Sequence, residues 1–236
     1  MALRRTFTIL VLTLVPILAI ADEEGPWSGK ASLGYLATTG NTENSNLNSA
    51  FQLGYKTGQW QHLLTALAIN AAENKETTAE AYELGWKSER NMSEKDFLFG
   101  RLNWRKDRFS GYDTQFSQSI GYGHRLINTD IHKLNIEAGV GARQSTRIDG
   151  TKENETIFRG GLNYAWQFSE TAQFRQDFVV EAGQENTYLE SISAVSAKLY
   201  ENLALVASYT VKNNSDVPPL TEKTDTYTAI SLEYTF

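Results

Sequence analysis

Apolar and polar residues alternate along most of this chain. In "HKLNIEAGVGARQ", Leu134, Ile136, Ala138, Val140 and Ala142 share one face, and Lys133, Asn135, Glu137, Gly139, Gly141 and Arg143 the other. The next run, "TIFRGGLNYAWQF", sets Phe158, Leu162, Tyr164, Trp166 and Phe168 against Arg159, Asn163 and Gln167. In "QFRQDFVVEAGQE", Phe174, Phe178, Val180 and Ala182 oppose Arg175, Asp177, Glu181 and Glu185. A period of two reads as β-strand, and no 3.6-residue period competes with it. Globular strands average about 5–6 residues, whereas these runs hold their alternation for about 10, the length of a strand that crosses a bilayer.

The pattern predicts 12 strands, over 27–39, 45–57, 60–72, 77–90, 96–107, 113–125, 131–145, 155–168, 172–185, 188–200, 203–213 and 225–236. Connections after odd-numbered strands are expected to be longer and more polar, as in "AENKETT", "RIDGTKENE" and "NNSDVPPLTEKT". Those after even-numbered strands, such as "TGQ" and "INTD", are expected to be tight. Short turns on one rim and longer loops on the other belong to an up-and-down, antiparallel, transmembrane β-barrel. An even strand count places both ends of the barrel on the short-turn rim. "LATTGNTENSNL" (Leu36–Leu47) is then the first hairpin on the long-loop rim, with Gly40-Asn41 suited to its turn.

The mean hydropathy of −0.40 looks like that of a soluble protein. A barrel resolves the paradox, because only alternate residues meet lipid. The long apolar run lies at the start: Arg4 and Arg5, then "TFTILVLTLVPILAI", then Ala19-Ile20-Ala21. That is the pattern of a cleaved export signal over residues 1–21, leaving 22–236 as the barrel domain in the cell outer membrane. No Cys follows the apolar run, so lipid attachment at that point is excluded. Removing Arg4 and Arg5 from 22 basic residues leaves 20 against 28 acidic ones, which argues against nucleic acid as a partner. With no Cys in the chain, disulfides and thiolate chemistry are excluded. No cofactor is expected.

The final run, "TYTAISLEYTF", aligns Ile230, Leu232, Tyr234 and Phe236 on one face. A last strand ending in Phe resembles the signal read by the outer-membrane assembly machinery. Trp27, Trp60, Trp86, Trp166, Phe168, Tyr234 and Phe236 all fall near the short-turn rim, where rings anchor at a membrane interface. The expected surroundings are outer-membrane lipid and lipopolysaccharide, with the barrel as a monomer.

The segment "WSGKASLGYLATTGNTENSNLNSAFQLGYK" (Trp27–Lys56) carries a resemblance. Gly34-Tyr35, then "TTGNT", then a second amphipathic strand resembles the opening of the YdiY-like family, described as salt-induced outer membrane proteins. The resemblance extends over the chain to its terminal aromatic strand. It implies an outer-membrane β-barrel linked to salt or osmotic response, and no assigned activity.

Candidate chemistry lies on the inward face. Arg101, Arg105, Glu137, Arg143, Arg159, Arg175, Asp177 and Glu181 are the candidate lumen-lining residues, with the five arginines as the leading cluster. Mixed signs predict either cross-strand pairing that closes the interior or a narrow aqueous path. No catalytic set is expected. His62, His124 and His132 are each followed two residues later by Leu, not Ser, so the arrangement of outer-membrane lipid hydrolases is absent. Asp149, Glu153 and Glu155 lack the regular spacing of a calcium loop and read as a solvated hairpin. Two readings besides a small channel or structural barrel stay open: a lipid or lipopolysaccharide hydrolase, and a soluble periplasmic ligand-binding β-protein.

Overall fold

The computed structural model describes residues 25–38, 44–74, 76–107 and 110–236. The expected export signal over 1–21 and the tip of the first hairpin, 39–43, lie outside the described residues. The rest is a closed barrel of β-strands, each antiparallel to its sequence neighbours. The strands are β1 (Trp27–Thr38), β2 (Asn44–Thr57), β3 (Trp60–Glu73), β4 (Glu76–Asn91), β5 (Asp96–Asp107) and β6 (Tyr112–Asn128). They continue as β7 (His132–Arg147), β8 (Lys152–Gln167), β9 (Ala172–Ala182), β10 (Thr187–Tyr200), β11 (Leu203–Asn214) and β12 (Thr224–Thr235). The twelve-strand meander expected from alternation is the observed fold.

Alternation sets the two faces. Ile120 and Phe158 point outward and are each 68 % exposed. With Leu33, Leu84, Val140, Leu205 and Ile230 they give the barrel an apolar exterior that water would disfavour and hydrocarbon accepts. Inward positions carry the opposite set, including Lys87, Arg105, Glu137, Arg159 and Glu181.

One expectation about connections is corrected. Much of "AENKETT" and "RIDGTKENE" is strand: β4 starts at Glu76 and β8 at Lys152. Polar residues that pass beyond the apolar band keep their ladder partners, so the strands run on where hydropathy alone suggests a loop. What remains between β7 and β8 is the turn 148–151, where Gly150 takes φ +85° and Asp149 accepts the Thr151 amide at 2.8 Å. That backbone bond holds the exposed Asp149 carboxyl below the usual carboxylate range. Among the described residues, the one long connection is 215–223, between β11 and β12.

The ring closes between β1 and β12. β1 pairs with β2 along all of Trp27–Thr38, but with β12 only over Lys30–Leu33, opposite Leu232–Thr235. The closure is finished by Gly29 and Phe236, which exchange backbone bonds of 2.7 and 3.0 Å. The Phe236 ring lies across Gly29, where a Cβ would overlap it, and faces Phe51 at 6.4 Å. Replacing Gly29 by Val is expected to displace that ring and weaken the seam by about 1–3 kcal/mol, as overpacking does. Mobility on unheated gels after refolding should show a lower folded fraction. Gly100→Ala, where a Cβ meets nothing within 4 Å, should match the parent.

Candidate functional site: the charged lumen

The lumen is built from the side chains that alternation turns inward. At the end that carries Trp27 and Phe236, β5 contributes two aromatic rings, Phe97 and Phe99, both buried. They lie on Gly123 and Gly121 of β6, where a Cβ would enter the rings. The Lys87 ammonium sits 5.4 and 5.6 Å from the two ring centroids, and the Arg125 guanidinium 4.6 Å from that of Phe97. Desolvated cation–ring contacts of this kind contribute roughly 0.5–2 kcal/mol each. The rings fill the β4–β7 side of the barrel and give its buried cations a polarisable face. These inward phenylalanines were not singled out in the sequence, although their parity with Arg101 marks them.

Above the plug, two carboxylates organise the wall. Glu137 of β7 pairs with Lys87, and Arg159 Nη2 approaches it at 3.8 Å. Glu181 of β9 accepts from Arg105 at 2.8 Å and from the Ser117 hydroxyl at 3.1 Å, with Arg143 at 3.7 Å. Facing them, Lys212 pairs with Glu83 and lies 3.9 Å from Glu190, which also accepts from the Tyr188 hydroxyl at 2.8 Å. Arg105 stacks 3.9 Å over the Tyr188 ring.

The other end is capped by residues 215–223. Asp216 binds Arg147 at 2.8 Å, accepts from the Tyr112 hydroxyl through its carbonyl at 3.2 Å, and donates its amide to Asn186 Oδ1 at 3.2 Å. Pro218 packs against Gly111, whose φ of +86° and missing Cβ make room for it. The loop thus reaches from β11 to the tips of β6 and β7 and narrows the mouth.

Between plug and cap lies a cavity of about 460 Å³ lined by residues of β1–β5 and β7–β12. Arg101, Arg105, Glu137, Arg159, Arg175, Asp177 and Glu181 all line it. Arg143 also points inward but is sealed in the wall: its side chain is 0 % exposed, and it donates to Glu155 Oε1 at 2.6 and 3.1 Å and to the Asn186 carbonyl. The five arginines therefore do not form one cluster. Glu155 is corrected from hairpin tip to buried counter-charge. Its second oxygen accepts the amides of Glu185 and Asn186 at 3.0 and 3.4 Å. Glu153 turns to Arg147 at 2.8 Å, so the three acids of that segment diverge. Alternation carried back through Glu153, Glu155 and Ile157 to Arg159 is the signal that places Glu155 inside.

Outside, the rings expected at the rim form a band. Trp27 meets Tyr55 at 4.5 Å, and His62 lies between Trp60 and Trp86 at 6.1 and 6.2 Å. His132 stacks on Trp166 at 6.0 Å, and Trp166 meets Phe168 edge-on at 5.5 Å. Tyr234 stacks with Phe236 at 6.4 Å, while Ile230 and Leu232 stand exposed beside them. His124 pairs with Asp96 at 2.7 Å. All three histidines thus face away from the lumen.

Comparison with known proteins places the chain. The family described as "Protein of unknown function, DUF481" matches residues 31–236. "Uncharacterized protein YdiY" of Escherichia coli (strain K12) is 34 % identical over 217 residues, covering 91 % of this chain and 85 % of that one. This agrees with the resemblance carried by Trp27–Lys56. Among solved structures, the COG4313 outer membrane channel from Pseudomonas putida F1 aligns with a TM-score of 0.54. That match is 7 % identical and covers 90 % of this chain and 96 % of that one. The NanC porin aligns with a TM-score of 0.49 at 9 % identity, over 88 % and 97 %. At these identities the shared property is the barrel fold.

The pairs differ in worth by their burial. Truncating Glu181 to Ala removes the hydrogen-bonded carboxylate of the buried Arg105 and is expected to lower stability by about 3–5 kcal/mol. Glu233→Gln breaks a partly exposed pair with Lys30 and should change stability by at most about 1 kcal/mol. Urea unfolding of the barrel in lipid vesicles measures both.

Proposed function

The chain belongs to the DUF481 family, and on that premise we propose that it is a monomeric outer-membrane channel of narrow bore. The observation that supports this is the charged cavity inside a closed barrel, between an aromatic plug and a loop-capped mouth. Opposed charges on a narrow wall give a path its selectivity. A role in salt or osmotic stress is part of the proposal, and rests only on what the resemblance carried by Trp27–Lys56 implies. In this proposal the chain is exported by a cleaved signal over residues 1–21 and assembled through Ile230, Leu232, Tyr234 and Phe236. It is held among outer-membrane lipid and lipopolysaccharide by its band of rings.

A second reading, a structural barrel with a closed interior, is favoured by the buried pairs Lys87–Glu137 and Arg105–Glu181. A hydrolase role draws no support from histidines that stack on rings or bind Asp96 on the outer face.

Folded protein in planar bilayers under a salt gradient separates the first two readings. The channel reading expects small, discrete conductance steps. It also expects larger ones when residues 217–222 are replaced by a short Gly-Ser turn, because the cap narrows the mouth. No steps from either protein, with folding verified, overturns the channel and leaves the structural role.

A further inference from the structure

The lumen holds two guanidiniums whose buried N–H groups its own carboxylates leave partly without hydrogen-bond partners. Arg159, 3 % exposed, lines the cavity. Its Nε and Nη1 have no hydrogen-bond partner, and Nη2 stands 3.8 Å from Glu137, beyond hydrogen-bond reach. Arg101 lines the same cavity, has a buried Nε without a partner, and makes no ion pair among the described residues. The nearby carboxylates take their hydrogen bonds from other groups, and Glu137 meets Arg159 only at ion-pair distance. Glu137 is bound by Lys87, and Glu181 by Arg105 and Ser117. The Arg143 charge is met by Glu155.

The register between the two arginines runs through small residues. Arg101 stands opposite Ser119 in the register, Ser119 opposite Gly141, and Gly139 opposite Arg159. Two like-charged guanidiniums thus line one cavity, with only glycine and serine at the paired positions that link them. Burying an unpaired charge costs several kcal/mol unless something neutralises it. Guanidinium N–H groups suit the planar oxygens of a carboxylate or the oxygens of a phosphate. The cavity's volume lies in the range of small-ligand sites, which is about 300–1,000 Å³.

We propose that Arg101 and Arg159 form an anion-binding site in the lumen, which takes a small solute bearing a carboxylate or phosphate group. Its use in transport rests on the channel reading; the binding itself does not. Among the amides that line the cavity, Asn103 on β5 and Asn163 on β8 stand on the same strands as the two arginines and can meet the solute's polar body.

The test is calorimetric titration of the full folded barrel in detergent at constant ionic strength. Sodium acetate and inorganic phosphate are the probes, in separate arms. Saturable binding of either supports the site, and the arm that binds names the anion. Arg159→Gln should weaken that binding at least tenfold. Arg101→Gln, which removes no ion pair, should do the same and serves as the variant if Arg159→Gln does not fold. No saturable binding to the parent, or equal binding to the folded Arg101→Gln variant, overturns the site. Conductance of the same preparations keeps the two claims apart. Binding without conductance removes the channel and leaves the site, and conductance without binding removes the site alone.

Discussion

A strand crossing a bilayer has no water to satisfy its backbone, so each amide must find its partner on a neighbouring strand. The rest of this molecule depends on that closure. The ladders between sequence neighbours follow from short turns, but the ring is completed only where β1 meets β12. There the paired stretch is Lys30–Leu33, finished by the Gly29–Phe236 exchange. A glycine that admits a ring and a terminal phenylalanine that supplies it are two halves of one contact. Phe236 is thereby part of the closure itself.

Once the ring is closed, alternation forces every second residue into a confined interior. Apolar filling would give a sealed rod. This chain mixes a small apolar plug, Phe97 and Phe99, with charges arranged so that most meet an opposite charge or a ring. Glu137, Glu181 and Glu155 hold Lys87, Arg105 and Arg143 in place. Deeply buried pairs of this kind specify position more than they add stability, because desolvation offsets most of their attraction. In the space they leave, Arg101 and Arg159 keep buried N–H groups without hydrogen-bond partners.

Strand number, meander order and the inward parity of the eight lumen-lining candidates were legible in the sequence, because a period of two is a local property. What was not legible is non-local or lies outside the apolar band. Glu155 read as a loop residue because a polar strand end in water has the composition of a hairpin tip. Arg143 read as one of an arginine cluster because parity says which way a side chain points, not what meets it across the barrel. The plug is visible only when Phe97 and Phe99 are matched with Gly123 and Gly121 on the next strand. The cap over the mouth depends on where residues 215–223 travel, and nothing in "DVPPL" states that it reaches Gly111 and Arg147.

The central claim is that one face of each strand meets lipid while the other faces a water-accessible lumen. The chain has no cysteine, so single substitutions report cleanly. The most direct measurement is reaction of Ser208→Cys and Ala207→Cys, adjacent residues on β11, with a small water-soluble, membrane-impermeant thiol reagent in lipid vesicles. The account predicts that Cys at 208, on the cavity wall, is modified, while Cys at 207, facing the bilayer, is protected. Modification at 207 with protection at 208 would contradict it.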